Sequence, residues 1–196
     1  MGKVILVRHG ESEMNRDGLF FGWLDPKLTE KGIKQAHNAK SVIQSFEYDE
    51  IYSSDLSRAR ETANIVNYQG LPVKLSQELR EINFGIFEGL TYKEIKEKYP
   101  DEVKLWREKW QEYDYENGEN VTQLQRRAVE FLKSLDKEKK DIVVVTHWGV
   151  INCILSYYIT GGLEGYWKFA LDTGGVSILE FREGFPVLHG LNIGGK

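Results

Sequence analysis

The sequence predicts an α/β fold: a mainly parallel central sheet flanked by helices on both faces, with a helical and aromatic lid. Three observations carry this. Two continuous apolar runs, Val4-Ile5-Leu6-Val7 and Ile142-Val143-Val144-Val145, read as strands buried on both faces, since a half-solvated strand would alternate with polar residues. Helical patterns fill the chain between them, and strands alternating with helices build layered parallel sheets. No internal repeat, low-complexity tract or linker interrupts the chain, so residues 1–196 read as one domain.

Each further element has its own signal. Thr29 is a good N-cap for a helix that carries Ile33, Ala36, Lys40 and Ile43 at helical spacing. A short strand is expected at 50–53, then a turn and a helix start with Ser54 or Asp55 near its N-cap. Thr91-Tyr92-Lys93-Glu94 is a capping box, and its helix should stop at Pro100. Val103, Trp106, Trp110 and Tyr113 share one helical stripe; Val121, Leu124, Ala128, Leu132 and Leu135 share another. Late strands are expected at 176–181 and 186–191. Residues 84–120 are the least regular and most aromatic, and read as a lid over the edge of the sheet.

Composition narrows the function. The chain is 41% hydrophobic and 29% charged, with 26 Lys and Arg against 30 Asp and Glu, an ordinary globular balance. A chain of this size buries roughly 70% of its unfolded surface and needs no metal or disulfide staple. The net charge of -4 argues against a general nucleic-acid binder while permitting a local basic pocket. One cysteine allows no intrachain disulfide, which suits a reducing compartment. Four apolar residues before Arg8 are too few for a signal peptide or a membrane span, so the expectation is a cytoplasmic protein without membrane contact.

The chemistry is expected at the ends of the two apolar strands. The first ends Arg8-His9-Gly10 and the second Thr146-His147-Trp148-Gly149, and ligands of open α/β sheets bind beyond the carboxyl ends of strands. A lone histidine is usually structural, but two at equivalent strand ends point to a site. His37 and His189 lack that setting and read as packing or surface residues. Arg58 falls in a first helical turn, where a cation opposes the helix dipole, and a bound anion would justify it. Arg60 reads as solvated. Glu78, Glu81 and Glu88 sit amid aromatic and Gly-broken backbone, where a carboxylate can become a general acid; residue type alone does not choose among them. Phosphate-loop, dinucleotide and zinc signatures are absent, and a pocket holding Arg8 and Arg58 would repel a cation, so no metal or cofactor is expected.

These residues resemble the histidine phosphatase superfamily, which includes the phosphoglycerate mutases. The match runs through Leu6-Val7-Arg8-His9-Gly10-Glu11-Ser12, Asn15, the Phe21-Gly22-Trp23 turn, Leu28-Thr29 to Gln35-Ala36, residues 53–63, residues 79–89 and Thr146-His147. The resemblance implies that His9 is a nucleophile forming a phosphohistidine. It implies that Arg8, Arg58, Asn15 and His147 hold the phosphoryl oxygens, that Phe21 and Gly22 bind substrate, and that Glu81 protonates the leaving oxygen. The implied partner is a small-molecule phosphate monoester, with a homodimer compatible. The length resembles the short phosphatase branch rather than the longer cofactor-dependent mutases. Residues 79–89, Asn117-Gly118-Glu119 with Arg126-Arg127, and the C-terminal run from Trp167 to Asn192 resemble bacterial alpha-ribazole phosphatases of cobalamin biosynthesis. The alternatives are a broad sugar- or glycerate-phosphate phosphatase, a small mutase, or a non-catalytic phosphate-binding module. Two departures stand out: Asn117-Gly118-Glu119-Asn120 where many members have Gly-Gly-Glu-Ser, and Trp148 after the second histidine.

Overall fold

The computed structural model describes residues 2–195. In chain order the elements are β1 (Gly2–Arg8), α1 (Glu13–Arg16), α2 (Glu30–Ile43), β2 (Glu50–Ser54), α3 (Ser57–Val66), β3 (Val73–Ser76), α4 (Tyr92–Lys98), α5 (Pro100–Glu108), α6 (Val121–Lys133), β4 (Ile142–Thr146), α7 (Trp148–Thr160), β5 (Val176–Arg182) and β6 (Phe185–Ile193). The strands form one sheet in the order β3-β2-β4-β1-β5-β6. β3, β2, β4 and β1 run parallel, while β5 and β6 add an antiparallel margin. Among the described residues no helix is long and apolar enough to cross a membrane.

The two apolar runs pair with each other in register, from Val4 beside Ile142 to Arg8 beside Thr146. Their alternate side chains feed two cores. Val4, Leu6, Ile142 and Val144 pack with Leu124, Ala128 and Leu132 of α6 and with Val150, Ile151 and Ile154 of α7. Ile5, Val7, Val143 and Val145 pack with Ala39 and Ile43 of α2 and with Ala59 and Ala63 of α3. Burial on both faces is why these strands are apolar throughout.

Several elements differ from expectation. The α3 N-cap is Leu56, next to Asp55 and two residues after Ser54, and it makes no side-chain cap. The Asp25 carboxylate, from a loop far away in sequence, takes the Ser57 amide and hydroxyl at 2.7 Å each. Ser54 is left for other work, and Asp55 binds Arg80 through both oxygens at 2.7 and 2.6 Å. The capping box at Thr91 holds, and Pro100 both follows the end of α4 and opens α5 at its first turn, where a missing N–H costs nothing. α5 ends at Glu108, so Trp110 and Tyr113 lie beyond it and the four-residue stripe is not one helical face. β3 is four residues long, too short for periodicity to reveal. α7 escapes the pattern because its residues from Gly149 to Ser156 are all buried, which erases amphipathic spacing.

Residues 84–120 attach through a cluster of rings. Phe87 is fully buried and contacts Phe20, Tyr99, Trp106, Tyr113 and Tyr115. Phe87→Ala is expected to cost about 3–5 kcal/mol of stability in urea unfolding, the usual range for deleting a buried phenyl ring. A loss below about 1 kcal/mol would mean that this segment does not share the main core.

Candidate active site

Parallel pairing of β1 with β4 brings His9 and His147 side by side. Their ring centroids are 5.0 Å apart, edge to face, and both residues are buried. His9 Nδ1 meets the Gly10 carbonyl at 2.7 Å. A carbonyl accepts, so Nδ1 carries the proton and Nε2 keeps its lone pair. Burial first, then Arg58 and Arg8, holds the His9 imidazole well below its ordinary pKa; burial, Arg58 and His9 do the same for His147. Both rings are therefore neutral at neutral pH.

Arg58 has no exposed side-chain surface. Its Nη2 and Nη1 donate to the Gly22 and Leu24 carbonyls at 2.7 and 2.9 Å, and its guanidinium lies 4.8 Å over the Phe21 ring. Phe21 and Gly22 thus build the seat of Arg58. Gly22 is required there, because a Cβ would overlap the Ile82 carbonyl. Arg8 is partly buried and donates to the Leu171 carbonyl at 2.6 Å. Burial lowers both arginines, Arg58 to about 10, so both remain cations at neutral pH. Among the described residues, three buried nitrogens here have no hydrogen-bond partner: Arg8 Nε, Arg58 Nε and His147 Nδ1.

Of the three glutamates, only Glu81 is buried in the site. Its Oε2 accepts from Gly149 N–H at 3.0 Å and its Oε1 from Ile82 N–H at 2.9 Å. Burial raises its pKa, against the pull of those two amides and of Arg58 and Arg8. Glu88 is a loop clamp, accepting from the amides of Gly22, Trp23, Leu24 and Phe84. Glu78 is exposed. The Asn15 carboxamide oxygen is engaged in the α1 capping box, accepting from the Ser12 amide and hydroxyl. Among the described residues no group of three or more His, Cys, Asp or Glu is placed to hold a metal ion.

Two parts of this site carry no sequence signal for their role, and a third, an aromatic wall, falls partly in the expected lid. Ser54 Oγ lies 2.9 Å from His147 Nε2. Arg127 donates to the Glu78 and Glu81 carbonyls and pairs with Glu119, fixing the chain that carries Glu81. Beside Glu81 opens a cavity of about 280 Å³, walled by Phe20, Phe84, Trp106, Tyr115, Trp148 and Trp167 among others. The expected stripe divides at this wall. Trp106 lines the cavity, Tyr113 is core, and Trp110 stacks on Tyr166 behind it. The two departures also find their places: Trp148 forms cavity wall, Asn117 takes a left-handed φ of 60° that asparagine tolerates, and Asn120 caps α6 as serine would.

The profile of the histidine phosphatase superfamily (branch 1) matches residues 4–194. The chain belongs to this superfamily. It is 32% identical over 190 residues to the adenosylcobalamin/alpha-ribazole phosphatase of Escherichia coli (strain K12), covering 95% of this chain and 94% of that one. It is 33% identical over 196 residues to phosphoserine phosphatase 1 of Hydrogenobacter thermophilus, covering 98% and 93%. The crystal structure of the alpha-ribazole phosphatase from Shigella flexneri superposes with a TM-score of 0.91 at 30% identity, covering 98% and 97%. This histidine phosphatase is a phosphoric monoester hydrolase acting on a small phosphate ester.

Gly149 sits so close to Glu81 that a Cβ would overlap Oε1. Gly149→Ala is expected to displace that carboxyl and lower kcat at least about tenfold, read in steady-state assays beside a melting curve. Unchanged kcat would show that the position of Glu81 is irrelevant to turnover.

Proposed function

We propose that this phosphatase works through a phosphohistidine on His9 without a metal ion, and that its substrate carries a flat, largely apolar leaving group, as alpha-ribazole 5'-phosphate does. The observation that carries the chemistry is the set of buried nitrogens without a hydrogen-bond partner among the described residues, Arg8 Nε, Arg58 Nε and His147 Nδ1, beside a neutral His9 ring. Phosphoryl oxygens would satisfy the two guanidinium N–H groups, and His147 Nδ1 as well when that nitrogen carries the proton. Guanidiniums stabilise the charge spread over the equatorial oxygens, which is the main demand of phosphoryl transfer. His9 Nε2 attacks phosphorus as the ester P–O bond breaks, and the protonated Glu81 carboxyl supplies the proton to the leaving oxygen. Water then attacks the phosphohistidine, giving its proton to the Glu81 carboxylate and releasing phosphate. Asn15 joins the phosphoryl contacts only through its amide nitrogen, since its oxygen is engaged.

The aromatic cavity supports the choice of substrate. Glu81 is its one carboxyl-bearing lining residue among the described residues, and residues 84–120 supply Phe84, Trp106 and Tyr115 as a lid. A benzimidazole ring gains from such walls, aromatic contacts adding roughly 0.5–1.5 kcal/mol beyond area burial. A second reading, a phosphatase for phosphoserine or glycerate phosphates, draws on the Hydrogenobacter relative. It would place the substrate carboxylate in a cavity offering no cation.

The test compares kcat/KM for alpha-ribazole 5'-phosphate, phosphoserine and 3-phosphoglycerate under identical conditions. The first is expected to be highest, and a higher value for either acid would end the apolar reading. kcat/KM should rise with pH as His9 loses its proton and fall as Glu81 loses its own. Glu81→Gln should remove the falling limb and slow alkyl esters far more than p-nitrophenyl phosphate, whose leaving group needs little protonation. Equal losses on both would assign Glu81 a structural role.

A further inference from the structure

We infer that Ser54 is a positioning residue whose hydroxyl holds His147 in the tautomer with its proton on Nδ1, aiming a neutral N–H donor at the phosphoryl group. The target of that donor rests on the reading above; the tautomer itself does not.

Ser54 closes β2, the strand hydrogen-bonded to β4, and β4 delivers His147. Both residues are fully buried. Ser54 Oγ accepts from the Leu56 amide at 3.4 Å and lies 2.9 Å from His147 Nε2. The hydroxyl has one proton to donate, and His147 Nε2 is the acceptor among these two contacts. The neighbouring Ser53 hydroxyl is turned elsewhere, donating to the Ser54 carbonyl at 2.8 Å. A neutral imidazole that accepts at Nε2 carries its proton on Nδ1. That nitrogen is buried without a protein partner, beside His9 and within the field of Arg58 and Arg8.

The opposite tautomer is wrong at both ends. It would make Nε2–H donate to the Ser54 oxygen and leave the hydroxyl proton without an acceptor among the described residues. It would also turn the Nδ1 lone pair on the electron-rich phosphoryl oxygens. Protonating the ring would remove the choice, but burial and the two arginines oppose that. One hydroxyl thus decides whether the second histidine attracts or repels the group being transferred.

The experiment uses the full chain with ring-labelled ¹⁵N-histidine, as wild type, Ser54→Ala and Ser54→Thr. Long-range proton–nitrogen spectra of wild type should show His147 protonated at Nδ1 and bare at Nε2. Ser54→Ala should shift the proton toward Nε2 and lower kcat/KM for p-nitrophenyl phosphate at least about tenfold. Ser54→Thr, which keeps the hydroxyl, should restore both. A wild-type proton on Nε2 overturns the inference and leaves the His9 chemistry standing. Full activity in Ser54→Ala overturns it too. If His147→Ala is then inactive, the fault lies with Ser54 alone; if His147→Ala is also fully active, the phosphoryl-holding role of His147 falls with it. Should Ser54→Ala fail to fold, the wild-type tautomer and the threonine variant still decide.

Discussion

The structure turns on a buried cation. Arg58 has its guanidinium wholly inside the protein, bound to two main-chain carbonyls, with its nearest carboxylate, Asp25, 3.9 Å away and itself largely engaged by Ser57. Removing a charge from water without a close counter-charge is expensive, and the cost falls when an anion arrives. The same cation acts on its neighbours. Together with burial and Arg8 it keeps both imidazoles neutral, which a nucleophilic histidine requires. Glu81 feels the opposite sign, yet burial outweighs that attraction and the carboxyl keeps a raised pKa. The neutral imidazoles and the proposed anion seat therefore answer to this cation, whereas the Glu81 carboxyl answers to burial.

The fold serves this arrangement through strand ends. β1, β4 and β2 lie side by side and parallel, so His9, His147 and Ser54 emerge at one edge of the sheet. Parallel strands bring successive functional groups to the same end, whereas antiparallel neighbours would send them to opposite ends. The helix that follows β4 then offers its first-turn amide, at Gly149, to Glu81. Arg127 of α6 donates to the Glu81 carbonyl, so Glu81 is fixed at backbone and carboxyl alike.

Much of this was legible in the sequence. Val4–Val7 and Ile142–Val145 declared buried strands because both faces are covered, and His9 and His147 followed directly from where those strands stop. Arg58 was visible as a cation in an unfavourable helical turn, although its partners, the carbonyls of Gly22 and Leu24, lie more than thirty residues away and no local rule reaches them. Glu81 was indistinguishable from Glu78 and Glu88 by residue type, since burial and not composition separates them. The start of α3 was legible to within two residues, but not that Asp25 of another loop supplies its capping carboxylate. The aromatic stripe was misread because α5 ends at Glu108, one turn sooner than its spacing suggested. Ser54 gave no signal at all: its role exists only through the pairing of β2 with β4.

The most direct test of a neutral, pre-oriented His9 is the site of phosphorylation on its ring. Nδ1 is engaged by the Gly10 carbonyl, so only Nε2 is free to attack. Rapid mixing with substrate, quenching in alkali and locating the phosphorus–nitrogen bond by ³¹P and ¹⁵N NMR should find it at Nε2 of His9, and nothing in a His9→Ala sample. Phosphate on Nδ1, on a serine, or on no protein group during turnover would contradict the account.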